Sequence, residues 1–121
     1  MDVTSFEEII YEKDGETGIV TVTLNNPHIK NAMTLGMFFE LSQAVDAMQA
    51  DEGARAMILT GAKPPDTDDP SKEAFSSGGY FNPAYMEQLD AEKKKQIDIT
   101  DVAQKKFTLK MWEFDKPVIA V

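Results

Sequence analysis

Ile19-Val20-Thr21-Val22-Thr23-Leu24-Asn25-Asn26-Pro27 is the run from which the fold can be read. Its first six residues alternate aliphatic side chains with threonine, the period-two pattern of a strand with one apolar and one wetter face. Asn25-Asn26-Pro27 stops it, since proline has no N–H for a ladder. On the N-terminal side, residues 6–13 (FEEIIYEK) mix β-formers with charges and run into Asp14-Gly15, a turn signal. The two runs predict a β-hairpin. On the C-terminal side the period changes at Thr34. Leu35, Phe38, Leu41, Val45 and Met48 recur at three- and four-residue steps, with Glu40, Gln43, Asp46 and Gln49 on other faces. This predicts an amphipathic helix, closed near Gly53. Met57-Ile58-Leu59-Thr60, before Gly61, predicts a short buried strand. Strand, helix, strand within about 40 residues is a parallel crossover unit. The fold class is α/β.

The chain has 121 residues, 42% hydrophobic and 27% charged, a globular mixture sufficient for one domain at most. A formal net charge of -9 argues against a nucleic-acid or anionic-membrane surface, both of which call for basic patches. With no cysteine there is no disulfide framework and no thiolate metal site. The first residues, MDVTSFEEII, carry acids where a signal peptide needs basic residues and an apolar core. No apolar run approaches a membrane span. The expectation is a soluble, cytoplasmic protein without metal or nucleic-acid partners.

Residues 62–73 (AKPPDTDDPSKE) hold three of the six prolines and a cluster of acids, which predicts a solvated loop, neither helix nor central strand. The glycine and distal glutamate of a calcium loop are missing from it. Pro83 marks a possible helix start, and residues 85–104 are polar and lysine-rich. Ala103, Phe107, Met111 and Phe114 form a second apolar stripe at helical spacing. After Asp115-Lys116-Pro117, Val118-Ile119-Ala120-Val121 predicts a buried strand. Ending on an apolar strand, the chain reads as one cut in mid-fold.

Between loop and second stripe stands Glu73-Ala74-Phe75-Ser76-Ser77-Gly78-Gly79-Tyr80-Phe81-Asn82. Glycine removes the Cβ that shields the backbone, and a helix start nearby offers free N–H groups and a positive dipole end. Such a backbone suits an anion, or a carbonyl oxygen becoming one. Taken locally, a pair of glycines that merely turns the chain explains the same residues.

The order of segments along the whole chain resembles the N-terminal half of the enoyl-CoA hydratase/isomerase family, the crotonase superfamily. The matching pieces are residues 19–27, Asn31-Ala32-Met33, the amphipathic helix, and Met57-Ile58-Leu59-Thr60-Gly61. They continue with Ala74-Phe75-Ser76-Ser77-Gly78-Gly79 and Lys116-Pro117-Val118-Ile119-Ala120-Val121. The resemblance implies a crotonase-like ββα spiral, with residues 1–121 forming the N-terminal part of an acyl-CoA-binding domain. It implies an acyl-CoA thioester as the ligand, with coenzyme A as part of the substrate and no separate cofactor. It also implies a homotrimer or hexamer.

In the family, two backbone N–H groups hold the thioester oxygen and stabilise an enolate. The resemblance makes Gly79 the first donor and places the second, together with the catalytic carboxylates, beyond Val121. It aligns His28, Ile29 and Lys30 with the segment that lies along the nucleotide and pantetheine of coenzyme A. The alternative for His28 and Lys30 is an ordinary surface turn. Ser77 aligns with a position near the adenine, its alternative being a turn-stabilising serine. Tyr80, Phe81 and Asn82 follow, with Tyr80 where hydratases commonly carry aspartate. Aromatics there would pack on an acyl group or on a neighbouring helix. The implied reaction is hydration of a 2-enoyl-CoA by the intact protein, with this chain alone expected to be inactive. The alternatives are an isomerase, dehalogenase or hydrolase of the same family, or a non-catalytic protein that binds acyl-CoA or a partner.

Overall fold

The computed structural model describes residue 3, residues 5–80 and residues 107–121. The expected hairpin is present: β1 (Ile9–Lys13) pairs antiparallel with β2 (Ile19–Leu24). Asp14 shapes its turn, Oδ1 accepting from the N–H groups of Glu16 at 2.8 Å and Thr17 at 3.0 Å. Gly18 sits at a φ of +74°, and a Cβ there would come within 2.4 Å of the Gly53 carbonyl oxygen, so only glycine fits.

Next comes α1 (Leu35–Ala50), which leads into β3 (Ala56–Gly61), parallel to β2. A short helix, α2 (Lys110–Glu113), precedes β4 (Val118–Ala120), which is parallel to β3. The sheet order is β1-β2-β3-β4. A single parallel crossover carries β2 over to β3, as the sequence predicts.

Alternation decides the core. Val20, Val22 and Leu24 of β2 are buried, while Thr21 and Thr23 face the wetter side. Ile9, Met57 and the α1 residues Met37, Leu41, Ala44, Val45 and Met48 close over them. The helical stripe is therefore shifted slightly from the expected one. Met37 and Ala44 are sealed, and Phe38 is half-buried with its ring centroid 5.7 Å from that of Phe107. Phe107, Met111 and Phe114 pack against the core as the second stripe predicts. Ala103 and the segment 83–104 lie outside the described residues.

Polar contacts set the ends of α1. Thr34 is the N-cap, its Oγ1 accepting from Met37 N at 3.1 Å and donating to Glu8 Oε1. At the other end Lys116 Nζ donates to the carbonyls of Met48 at 2.6 Å and Asp51 at 2.8 Å, placing a cation on the free helix carbonyls. Glu40 is not the solvent-face residue its spacing predicts. It is half-buried and accepts from three successive N–H groups, those of Glu7 at 2.6 Å, Glu8 at 2.8 Å and Ile9 at 3.1 Å. It thereby fixes the chain as it enters β1.

Two further expectations need correction. Residues 118–121 do not form a buried strand: Ile119 is 57% exposed and Val121 73%. β4 occupies the outer position of the sheet, and no described residue covers the face on which Ile119 lies, so apolar composition alone does not bury it. The proline-rich loop also contains one 3₁₀ turn, Pro70–Lys72. Proline is tolerated there because the first N–H of a turn has no internal partner.

Candidate functional site

Beyond β2, Pro27–Ile29 makes one 3₁₀ turn and the chain then passes through two left-handed residues, Lys30 and Asn31, each at a φ of 54°. Asparagine tolerates this conformation better than most residues, and lysine does not. The turn is held by Lys30 N on Pro27 O at 3.1 Å, Asn31 N on Asn26 O at 2.8 Å and Ala32 N on Ile29 O at 3.1 Å.

Asn31 is fully buried, and its side chain is the junction of three segments. Its Oδ1 accepts from Asn26 N at 2.9 Å, while Nδ2 donates to Ala62 O at 3.0 Å and to Ala74 O at 2.8 Å. One amide thus closes the 26–31 turn and pins both ends of the 62–73 loop. Gly61 makes room: a Cβ there would lie 2.4 Å from the carbonyl oxygens of Ala74 and Phe75. The returning chain crosses the end of β3 at backbone contact distance.

Residues 76–80 then run alongside 29–33. Ser76 Oγ donates to Asn31 O at 2.7 Å and accepts from Gly78 N at 3.1 Å. Ser77 N donates to Lys30 O at 3.0 Å, and Ser77 Oγ to Ile29 O at 3.4 Å. Met33 donates to Gly78 O at 2.7 Å and accepts from Tyr80 N at 3.0 Å, which makes a parallel bridge between Met33 and Gly79. In a parallel bridge one residue supplies both its N–H and its C=O, and the residue opposite supplies neither. Met33 is the supplier. The N–H of Gly79 is therefore directed away from Met33, on an exposed stretch, and has no hydrogen-bond partner among the described residues.

The two glycines have separate duties. Gly78 has a φ of +104° and open space around the position of a Cβ, so it turns the chain, as the local reading of the pair has it. Gly79 holds an outward donor in a fixed frame.

His28 and Lys30 are exposed, Ile29 half-buried, and His28 and Lys30 line an open cleft of about 620 Å³ whose other wall is the 62–73 loop. Ser77 is exposed beside them, and Tyr80 is half-buried at the end of the bridge. The structure so joins His28, Ile29, Lys30, Ser77, Gly79 and Tyr80 into one continuous surface. Phe81 and Asn82 lie outside the described residues. Among the described residues no group of three or more histidine, cysteine, aspartate or glutamate side chains is placed to hold a metal ion.

Sequence reasoning missed two residues that do the positioning. Asn31 stands within a matching segment, yet only the fold shows that its amide reaches three backbones. Its signal is an asparagine just after a proline-initiated turn, where left-handed backbone is needed. Ser76 had no signal beyond its place before Gly78.

A family model described as enoyl-CoA hydratase/isomerase matches residues 14–121. The mitochondrial enoyl-CoA hydratase of Pongo abelii is 31% identical, over 96% of this chain and 35% of its own length. The crotonyl-CoA hydratase of Syntrophomonas wolfei is 28% identical, over 96% of this chain and 39% of its own. Among solved structures, an enoyl-CoA hydratase/isomerase from Xanthobacter autotrophicus Py2 superposes with a TM-score of 0.70 at 31% identity, covering 96% of this chain and 38% of that one. The chain spans little more than a third of the length of these relatives.

Proposed function

The chain belongs to the enoyl-CoA hydratase/isomerase family, and from that premise we propose that it forms the thioester-binding part of an enzyme that hydrates a 2-enoyl-CoA. The observation that carries the reading is the outward N–H of Gly79, without a partner among the described residues, in a backbone bridged to Met33 on both sides. When water gives up one proton to a base and its oxygen bonds to C3 of an enoyl thioester, the double-bond pair shifts to join C2 to the carbonyl carbon and the carbonyl pair moves onto the oxygen. A proton delivered to C2 then completes the hydration. A rigid donor aimed at that oxygen stabilises the charged intermediate without reorganising, the usual advantage of a preset backbone amide. The same donor would serve an isomerase, a dehalogenase or a hydrolase acting through a related enolate. The names of the relatives favour hydration.

Gly79→Pro tests this. Because the Gly79 N–H bonds to no described residue, proline there removes the donor without removing a hydrogen bond among the described residues. In the intact protein that carries this chain, the expected result with crotonyl-CoA is a fall in turnover of about a hundredfold or more, with the circular-dichroism spectrum and melting temperature retained. Gly79→Ala, which keeps the N–H, loses much less. Undiminished turnover by a folded Gly79→Pro variant overturns the assignment. A product heavier than substrate by one water identifies hydration, and a product of unchanged mass identifies isomerisation. Thioester binding without any turnover by the intact protein supports the non-catalytic alternative.

A further inference from the structure

Glu8 stands just before β1, and its backbone is held on both sides. Its N–H donates to Glu40 Oε2 at 2.8 Å, and its carbonyl accepts from Asn25 N at 2.9 Å. The side chain therefore leaves the backbone at a fixed point. Its Oε1 accepts from Asn26 Nδ2 at 3.1 Å and from the Thr34 hydroxyl. Asn26 and Thr34 are the two ends of one segment. Between them lie the 3₁₀ turn Pro27–Ile29, the left-handed pair Lys30 and Asn31, and Met33, whose bridge directs the Gly79 N–H outward. One carboxylate oxygen thus staples the segment at both ends.

Each contact is tied to a further one. Thr34 has a single hydroxyl proton, and giving it to Glu8 leaves a lone pair for Met37 N at the cap of α1. Asn26 gives its side-chain amide to Glu8, while its backbone N–H reaches Asn31 Oδ1 at 2.9 Å. Asn31 in turn donates to Ala74 O at 2.8 Å and accepts on its own carbonyl from Ser76 Oγ at 2.7 Å. A continuous run of hydrogen bonds so joins Glu8 to the backbone that carries Gly79. Bonds to a carboxylate are roughly twice as strong as neutral ones. Glu8 is half-buried, where the lower local dielectric strengthens them.

We propose that Glu8 is a positioning residue for the thioester carbonyl: by stapling residues 26–34 at both ends it sets Met33, and through the Met33–Gly79 bridge it aims the Gly79 N–H. The proposal rests on the donor role of Gly79 given above. It adds a side chain at the entry to β1 that acts on the ligand only through this backbone. A preset donor is effective in proportion to how rigidly its support holds it.

The test uses the intact protein that carries this chain, with two readouts. One is turnover of crotonyl-CoA per folded molecule. The other is the infrared carbonyl stretch of bound butyryl-CoA, isotopically labelled at the thioester carbonyl, whose saturated acyl group cannot be hydrated. A hydrogen bond to that oxygen lowers the stretch below its free value, and mere loss of stability leaves it unaltered in molecules that remain folded. Glu8→Ala is expected to return the stretch toward the free value. It should also lower kcat by about tenfold, within the roughly hundredfold that a misplacement of about 1 Å can cost. Glu8→Gln keeps an oxygen acceptor of the same reach at roughly half the strength, and holds kcat within about threefold of the parent. Asn26→Ala removes one of the two contacts and moves both readouts less; added to Glu8→Ala it has little further effect. Glu12→Ala, at an exposed position of β1, changes neither readout. If Glu8→Ala shifts only one readout or none, the positioning role is overturned and the Gly79 donor stands. A loss in Glu8→Gln as large as in Glu8→Ala has the same meaning. Should Glu8→Ala not fold, Asn26→Ala decides by the same two readouts. A stretch not lowered in the unmodified protein overturns the Gly79 reading and this inference with it.

Discussion

Met37 and Met48 of α1 and Val20 of the sheet are sealed in the core between helix and sheet, while Asn31, equally buried, is surrounded by backbone oxygens and an N–H. The first region is held by apolar area divided over eleven side chains from both strands and helix. The second depends on one amide that no neighbour duplicates. Apolar burial is non-directional, so its members can trade volume with modest loss. A hydrogen-bonded junction is directional, and removing one partner leaves several buried backbone groups unsatisfied. The difference teaches where to expect robustness: the sheet and helix tolerate conservative change, and the geometry around Gly79 does not.

The strongest challenge to that division is a cavity in the apolar region. Leu41, 2% exposed, packs from α1 onto the sheet. Leu41→Ala is expected to lower the unfolding free energy by about 2–5 kcal/mol in urea titrations. Coenzyme A affinity of the molecules that remain folded stays close to that of the parent. Weakened affinity in the folded fraction would show that the cavity reaches the 74–80 segment, and the two regions would then be one.

The reverse experiment is a polar one. Asn31→Ala deletes three hydrogen bonds and puts alanine at a φ of 54°. The expected stability loss is about 1–3 kcal/mol, smaller than for the larger core truncations, but turnover should fall well beyond what the unfolded fraction explains. Asn31→Asp sharpens the point. It keeps an acceptor for Asn26 N and replaces the donor by an oxygen facing the carbonyls of Ala62 and Ala74. If turnover per folded molecule survives in both variants, Asn31 is a structural asparagine alone, without a part in setting the Gly79 donor.

The same contrast explains what could be read before the fold was seen. Apolar periodicity is local, so the 19–24 strand, the helix from Leu35 and the 57–60 strand were legible, and their order gave the parallel crossover. Burial depends on neighbours, which is why Val118-Ile119-Ala120-Val121 misled: its apolar run signals a strand but not its position in the sheet. Glu40 misled for a related reason, since helical spacing places it on a polar face and is silent about the chain that folds back over it. At the site, Gly78-Gly79 announced an unusual backbone and the resemblance named Gly79 as the donor, but that Gly78 makes the turn needed the fold, where its φ is +104°.

Glu40 is a polar device inside the apolar half, and its titration gives the smallest and most specific test of the comparison. Burial raises its carboxyl above the ordinary 4.5, outweighing the N–H groups of Glu7 and Glu8, with the charge of Glu8 adding to the rise. The carboxyl of Asp51 is lowered below the ordinary 3.8, first by the hydrogen bond from Lys13 and then by Gly53 N–H, and that of Asp14 by the N–H groups of Thr17 and Glu16. The signs are opposite. A raised acid binds its proton more tightly when folded, so its contribution is full below 4.5 and fades as pH climbs through the raised value. The lowered aspartates contribute fully above 3.8 and fade as pH falls through their lowered values. Melting temperature should therefore rise as pH increases toward 3.8 and sag above 4.5. Glu40→Gln is expected to flatten the sag alone, and Asp51→Asn to flatten the acid limb alone. An unaltered sag in Glu40→Gln would mean that its N–H partners prevail over burial, and that polar contacts govern even beneath the helix.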